Sequence, residues 1–184
     1  GQHRLLAIVK TGKTLPIMVA RNMDPKIFNC VDTGTARTAA DGLYIQGCSA
    51  SKHLAAGIKV YLLYKRFPRG SWTFAAVPTH SEILQEYKDN QEVYDEITNQ
   101  MGVYHRKFHF FNLSVGIPMY KLISEKNYSE EILSEFWTQF SEGTNLNIDN
   151  PILSFRNQMM QKGFRHRGSY YQRYQLNAFI RLFN

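Results

Sequence analysis

The sequence predicts an α+β chain that is mostly helical: a small α/β unit over residues 1–36, followed by an all-helical region over residues 37–184. Three observations predict it. A helical pattern, a tight turn and a compact β-branched run follow one another at the start of the chain. Apolar residues then recur at helical spacing. From residue 37 onward only helices are legible.

Each element has its own signal. Leu5, Leu6, Ile8 and Val9 stand at helix-compatible spacings over residues 3–11, and Gly12 follows as the residue best suited to a left-handed helix end. After the Lys13-Thr14 turn, "LPIMVA" at 15–20 reads as a buried strand closed by Arg21-Asn22. Asp24 before Pro25 matches an N-cap with proline at the first helical position, so 25–30 is expected to be a short helix. "VDTGTARTAAD" at 31–41 interrupts the pattern, and helical composition resumes from Arg37 to Ile45, up to Gly47. Ser51 is expected to cap a helix over 52–66, in which Leu54, Ile58, Tyr61, Leu62 and the Lys65 stem share a face. "FPRGSWTFAAVPTH" at 67–80 carries prolines, a glycine and a change of charge sign, which marks a long loop or linker.

Ser81 is expected to cap "EILQEY". Helices are predicted at 91–101 and 115–125, the second delayed by Gly116 and Pro118. Ser129 with Glu130 and Glu131 behind it starts a helix over 130–142, and Gly143 ends it. Asn150-Pro151 opens another to Lys162, closed by Gly163, and Ser169 opens the last, which runs to Asn184. No repeat or low-complexity segment interrupts the chain.

Composition narrows the function classes. Hydrophobic residues at 43% and aromatics at 14% argue against disorder, and no apolar run approaches the ~20 residues of a membrane span. No secretory signal pattern opens the sequence, and Cys30 and Cys48 lie outside any zinc-type spacing, so reduced thiols in a cytoplasmic setting are expected. The net charge of +7 is unevenly distributed: residues 1–70 and 150–184 are basic, whereas 71–149 are acidic. Either polyanions bind at both ends or the blocks neutralise one another in the fold.

Three stretches carry candidate chemistry. In "GQHR", Gly1 lets a ligand approach the backbone, Gln2 and His3 offer side-chain hydrogen bonds, and Arg4 adds a planar donor fork, all at a helix start where N–H groups face outward. A polar cap on an amphipathic helix is the competing reading. In "DTGTAR", Thr33, Gly34 and Arg37 form a second such corner, and Asp32 could hold Mg²⁺ beside nucleotide phosphates; a capped turn with Arg37 paired to Asp41 is the alternative. The tail interleaves Lys162, Arg165, Arg167 and Arg173 with Tyr170 and Tyr171, basic groups for phosphates and aromatics for bases. There the alternative is an amphipathic helix burying Tyr171, Tyr174, Ala178 and Leu182. His105 and His109 read as structural, without a third ligand, and Cys30 and Cys48 as small apolar side chains.

"GQHRLLAIVKTGKTLPIMVA" resembles the second conserved box of the ParB/sulfiredoxin superfamily, a G-x-[HR]-R-x-x-A motif followed by a helix, a glycine and an "IPV-V"-like strand. Gly1, His3, Arg4, Ala7, Gly12, Pro16 and Val19 fall on that pattern. Gln2 makes it similar to the "DGQHR" proteins of phages, plasmids and mobile elements, in which an Asp precedes the glycine. "DP-IF--VDTG--RTAAD" at 24–41 resembles the same subgroup, and the likeness covers about the first 45 residues. The superfamily's N-terminal strand and first box do not occur in this sequence, so the chain is expected to begin within a domain. The resemblance implies an α/β nucleotide-binding fold whose G-x-x-R corner contacts phosphates, with CTP or ATP and Mg²⁺ as ligand. It further implies a nucleic acid as macromolecular partner, DNA more than RNA, with homodimers possible. Sulfiredoxin chemistry needs a cysteine where Gln2 stands and is not expected. Any catalysis would be slow nucleoside triphosphate hydrolysis, with no catalytic residue assigned. A nucleic-acid-binding module without its own nucleotide site and a helical interaction scaffold are the competing classes.

Overall fold

The computed structural model describes residues 2–24, 27, 38–69, 72, 77–107, 111–126, 128–161 and 169–184, the side chains of Gln2, Gln161, Ser169 and Tyr170 aside. The chain divides into two units, Gly1–Ala36 and Arg37–Asn184. All regular structure among the described residues is helical.

In the first unit, α1 (Gln2–Thr11) ends at Gly12, whose φ of 64° is the left-handed turn that the sequence predicts there. The strand expected at 15–20 is not formed: these residues carry no regular secondary structure, and Leu15, Ile17, Met18 and Val19 are 53–98% exposed. The reason is physical. A strand exists through a ladder with a neighbour, and an apolar β-branched run supplies only half of one. The predicted α/β unit is therefore not present among the described residues.

The second unit is a bundle built around one helix. It comprises α2 (Ala39–Ile45), α3 (Ser51–Arg66), α4 (His80–Asp89), α5 (Gln91–Lys107), α6 (Leu113–Ser124), α7 (Glu130–Glu142), α8 (Pro151–Gln161) and α9 (Ser169–Phe183). Every residue from Ser114 to Ile123 is buried, and α3, α5 and α9 pack around α6. A helix apolar on all sides can be stable only in such a place. Proline does not delay it. Pro118 lies inside α6, because Asn112 Oδ1 caps the helix by accepting from Ser114 N at 3.0 Å. Burial of Val115, Ile117, Met119, Leu122 and Ile123, at ~1.5–3 kcal/mol each, outweighs the ~3 kcal/mol cost of an internal proline.

α3 crosses α6 at very short range: a Cβ at Gly57 would stand 3.0 Å from Cβ and Cγ2 of Ile117. Trp137, Phe140 and Phe179, each fully buried, cluster with one another and with Phe111 and Phe155 in edge-to-face and tilted pairs 4.8–6.4 Å apart. Trp137 Nε1 has no hydrogen-bond partner among the described residues.

Caps decide the helix ends. α7 starts behind Ser129, whose Oγ accepts from Ile132 N, and closes at Gly143 with φ 66°. Arg156 from α8 reaches the same end, donating from Nε to Phe140 O at 3.1 Å and from NH2 to Ser141 O at 3.3 Å. Other caps differ from expectation. Ser51 is the first residue of α3 and buried, with Ala50 before it making no side-chain cap. Thr79, not Ser81, caps α4, because the Thr-x-x-Glu spacing to Glu82 closes a reciprocal box: Thr79 N donates to Glu82 Oε2 at 2.7 Å and Glu82 N to Thr79 Oγ1 at 3.3 Å. α5 continues to Lys107, beyond the predicted 101. Within the 67–80 connection, Trp72 is buried and its Nε1 donates to Phe67 O at 3.1 Å, so that residue is pinned to the bundle.

Candidate functional site

The predicted phosphate corner is the first turn of α1. Helical geometry leaves its leading N–H groups without intrahelical partners, and the side chains of His3 and Arg4 are exposed beside them. Gln2 is the first helical residue. Gly1, Asp32, Thr33, Gly34 and Arg37 lie outside the described residues. The donors of this turn suit an oxyanion. Among the described residues no group of three or more His, Cys, Asp or Glu side chains is arranged to hold a metal ion.

The predicted nucleic-acid residues fare differently from one another. Lys162, Arg165 and Arg167 lie outside the described residues, as does the side chain of Tyr170. Tyr171 is half-buried on α9. Arg173 is held against the bundle on one side: its NH2 donates to Arg69 O at 2.9 Å, 104 residues away in sequence, and its Nε is buried without a partner among the described residues. The reason is packing, since the opposite side of that turn carries Gln175, Leu176 and Phe179 into the core. Tyr174, expected on the buried face, is 43% exposed. His105 packs edge-on against Phe111 at 5.5 Å; His109 and Cys30 lie outside the described residues.

Two polar clusters escaped the sequence reading. The first is Cys48, expected to be merely apolar. Its thiol donates to Tyr87 Oη at 3.0 Å, and that hydroxyl donates to Asp95 Oδ1 at 2.9 Å. The chain borders a cavity of about 310 Å³ that Ser49, Gln91, Thr98 and Asn99 also line. Burial, with the bonds to Cys48 and Asp95, raises the Tyr87 pKa, so the phenol stays protonated and bridges thiol and carboxylate by accepting from one and donating to the other.

The second cluster joins α3, α4, α5 and α6. Lys121, 7% exposed, donates to Asn90 Oδ1 at 3.2 Å, stands 3.6 Å from Glu125 Oε1 and lies 5.8 Å from the Tyr94 ring centroid. Glu125 also accepts from Tyr61 Oη and from Lys65 Nζ at 3.1 Å. Burial alone would raise the Glu125 pKa, but these bonds and the charges of Lys65 and Lys121 together hold it below the usual value. Glu86 goes the other way. Burial raises its pKa, and the bond from Tyr94 and the charge of Lys121 offset this only in part. Burial likewise raises the Tyr61 and Tyr94 hydroxyls. One signal for this cluster was legible: Lys121 is the lone charge in the apolar run of α6.

Comparison of the chain with protein-family models, curated proteins and solved structures finds no match. No helix among the described residues is long and apolar enough to cross a membrane.

Proposed function

We propose that this chain recognises nucleotide or nucleic-acid phosphate, and that the first turn of α1 is where the anion docks. One observation carries the reading: His3 and Arg4 are exposed in the first turn of a ten-residue helix, beside N–H groups that have no partner within that helix. An incoming phosphate meets partial positive charge there, together with a guanidinium fork and an imidazole. In the fuller proposal, suggested by the likeness to ParB-type proteins, the ligand is CTP or ATP with Mg²⁺. Gly1, Gln2, Thr33, Gly34 and Arg37 then complete the site, and DNA is the partner in a phage, plasmid or mobile-element setting. Turnover, if present, is slow nucleoside triphosphate hydrolysis, with Arg4 and Arg37 stabilising phosphate charge. Lys162, Arg165 and Arg167 extend the nucleic-acid contact, whereas Arg173 is left out because its guanidinium is committed to the Arg69 carbonyl.

A thermal-shift panel of nucleoside triphosphates with Mg²⁺, on the chain and on Arg4→Ala, tests the proposal. A ligand at a hundred times its Kd adds about 2.7 kcal/mol of stability, so a bound nucleotide raises the melting temperature and Arg4→Ala removes the rise. No shift with any nucleotide, alongside salt-dependent DNA binding, leaves only the nucleic-acid half. Absence of both the nucleotide shift and DNA binding overturns the proposal. A second reading, a protein-interaction scaffold, draws support from the exposure of Leu5, Leu6, Val9, Met18 and Val19 in the first unit, at 56–98%.

A further inference from the structure

Glu86 is a half-buried carboxylate bonded to neutral donors. Tyr94 Oη donates to its Oε1 at 3.1 Å, and Asn90 Nδ2 donates to the same oxygen at 3.2 Å. The cations of this cluster are spent on the other carboxylate: Lys65 and Lys121 both lie within 4 Å of Glu125. Lys121 reaches Glu86 only through Asn90, whose amide accepts from the ammonium and donates to the carboxylate. Ionised Glu86 thus carries a desolvation cost that no contacting cation among the described residues offsets. Because both donors fall on Oε1, a proton on Oε2 displaces neither of them.

We propose that Glu86 is a proton-responsive latch, through which proton uptake tightens the attachment of α4 to α5 and α6 and ionisation loosens it. The groups around it act in both senses. Asp89 on α4 and Glu125 at the end of α6 favour the neutral form, as burial does; Lys121 on α6 and the Tyr94 hydroxyl on α5 favour the charged one, and Tyr61 and Lys65 on α3 face the cluster through Glu125. The balance lies with the neutral form, consistent with the raised pKa of Glu86. A carboxyl that binds its proton more tightly in the folded state makes that state more stable as pH falls through the folded pKa. The gain is complete below the unfolded value, near 4.5.

The test compares wild type with Glu86→Gln, whose amide oxygen accepts the same two bonds without titrating. Hydrogen exchange of the α4 amides and urea unfolding are followed from about pH 7.5 to about pH 5. Intrinsic pH effects cancel in the difference. The variant is expected to be the better protected at the upper end, with wild type gaining on it as pH falls. A carbon NMR titration of the wild-type carboxyls reports independently, and decides alone should the variant not fold: Glu86 is expected to titrate above exposed Glu82, whose pKa the bonds from Thr79 and Arg66 lower. Parallel pH profiles, or Glu86 titrating with or below Glu82, overturn the proposal.

Discussion

Gly57→Ala measures how closely α3 and α6 are fitted. Alanine in a helix interior is favoured over glycine by about 1 kcal/mol, so on propensity alone the substitution stabilises. The new Cβ, however, stands 3.0 Å from Cβ and Cγ2 of Ile117, where carbon atoms prefer about 3.5–4.0 Å. Ile117 is fully buried and β-branched, and its Cβ is fixed to the backbone, so relief requires α6 to move away from α3. Overpacking of this kind costs ~1–3 kcal/mol, and with the propensity gain subtracted a net loss of up to about 2 kcal/mol is left. With a mid-range m-value of roughly 2 kcal/mol/M, the urea midpoint falls by up to about 1 M. Gly102→Ala in α5 is the matched control. Its Cβ meets nothing within 4 Å, so propensity acts unopposed and the midpoint rises. Shifts of the same sign for both variants would refute the reasoning.

Gly143→Ala combines backbone strain at φ 66° with a Cβ 2.5 Å from Arg156 NH1. Displacing that guanidinium from the Phe140 and Ser141 carbonyls adds to ~1–2 kcal/mol of left-handed strain, so a loss of about 2–4 kcal/mol is expected in urea unfolding. Glu125 is the counterpart of Glu86. Its lowered pKa stabilises the fold above the unfolded value of about 4.5, and that contribution disappears as pH falls through the folded one; Glu125→Gln is therefore less stable at neutral pH, and its deficit shrinks in acid unfolding curves.

The readable parts of this chain are those whose signals are local. Ser129 and Gly143 bracket α7 because both end groups act within a turn of the residues they terminate. Thr79 and Ser81 compete two residues apart, and only the partner three positions on, Glu82 for Thr79, decides between them. The run at 15–20 has the composition of a strand, but strand formation depends on a neighbour that composition does not name. The bond from Arg173 to the Arg69 carbonyl has no mark in the sequence because its acceptor is remote along the chain. The same holds for the polar clusters: Tyr61 meets Glu125 across 64 residues and Cys48 meets Tyr87 across 39. Of the candidate phosphate corner, the helix itself follows from apolar residues at helical spacing, whereas exposure does not, since Leu5, Leu6 and Val9 are as open to solvent as His3 and Arg4.

The enclosure of α6 sets a limit on how this molecule can open. With no side from Ser114 to Ile123 turned to water, its amides have no shallow route to solvent, and loosening α2 or α4 alone leaves them shielded. Exchange at those positions therefore reports the rupture of the entire bundle, and the axial helix serves as an internal gauge of global unfolding.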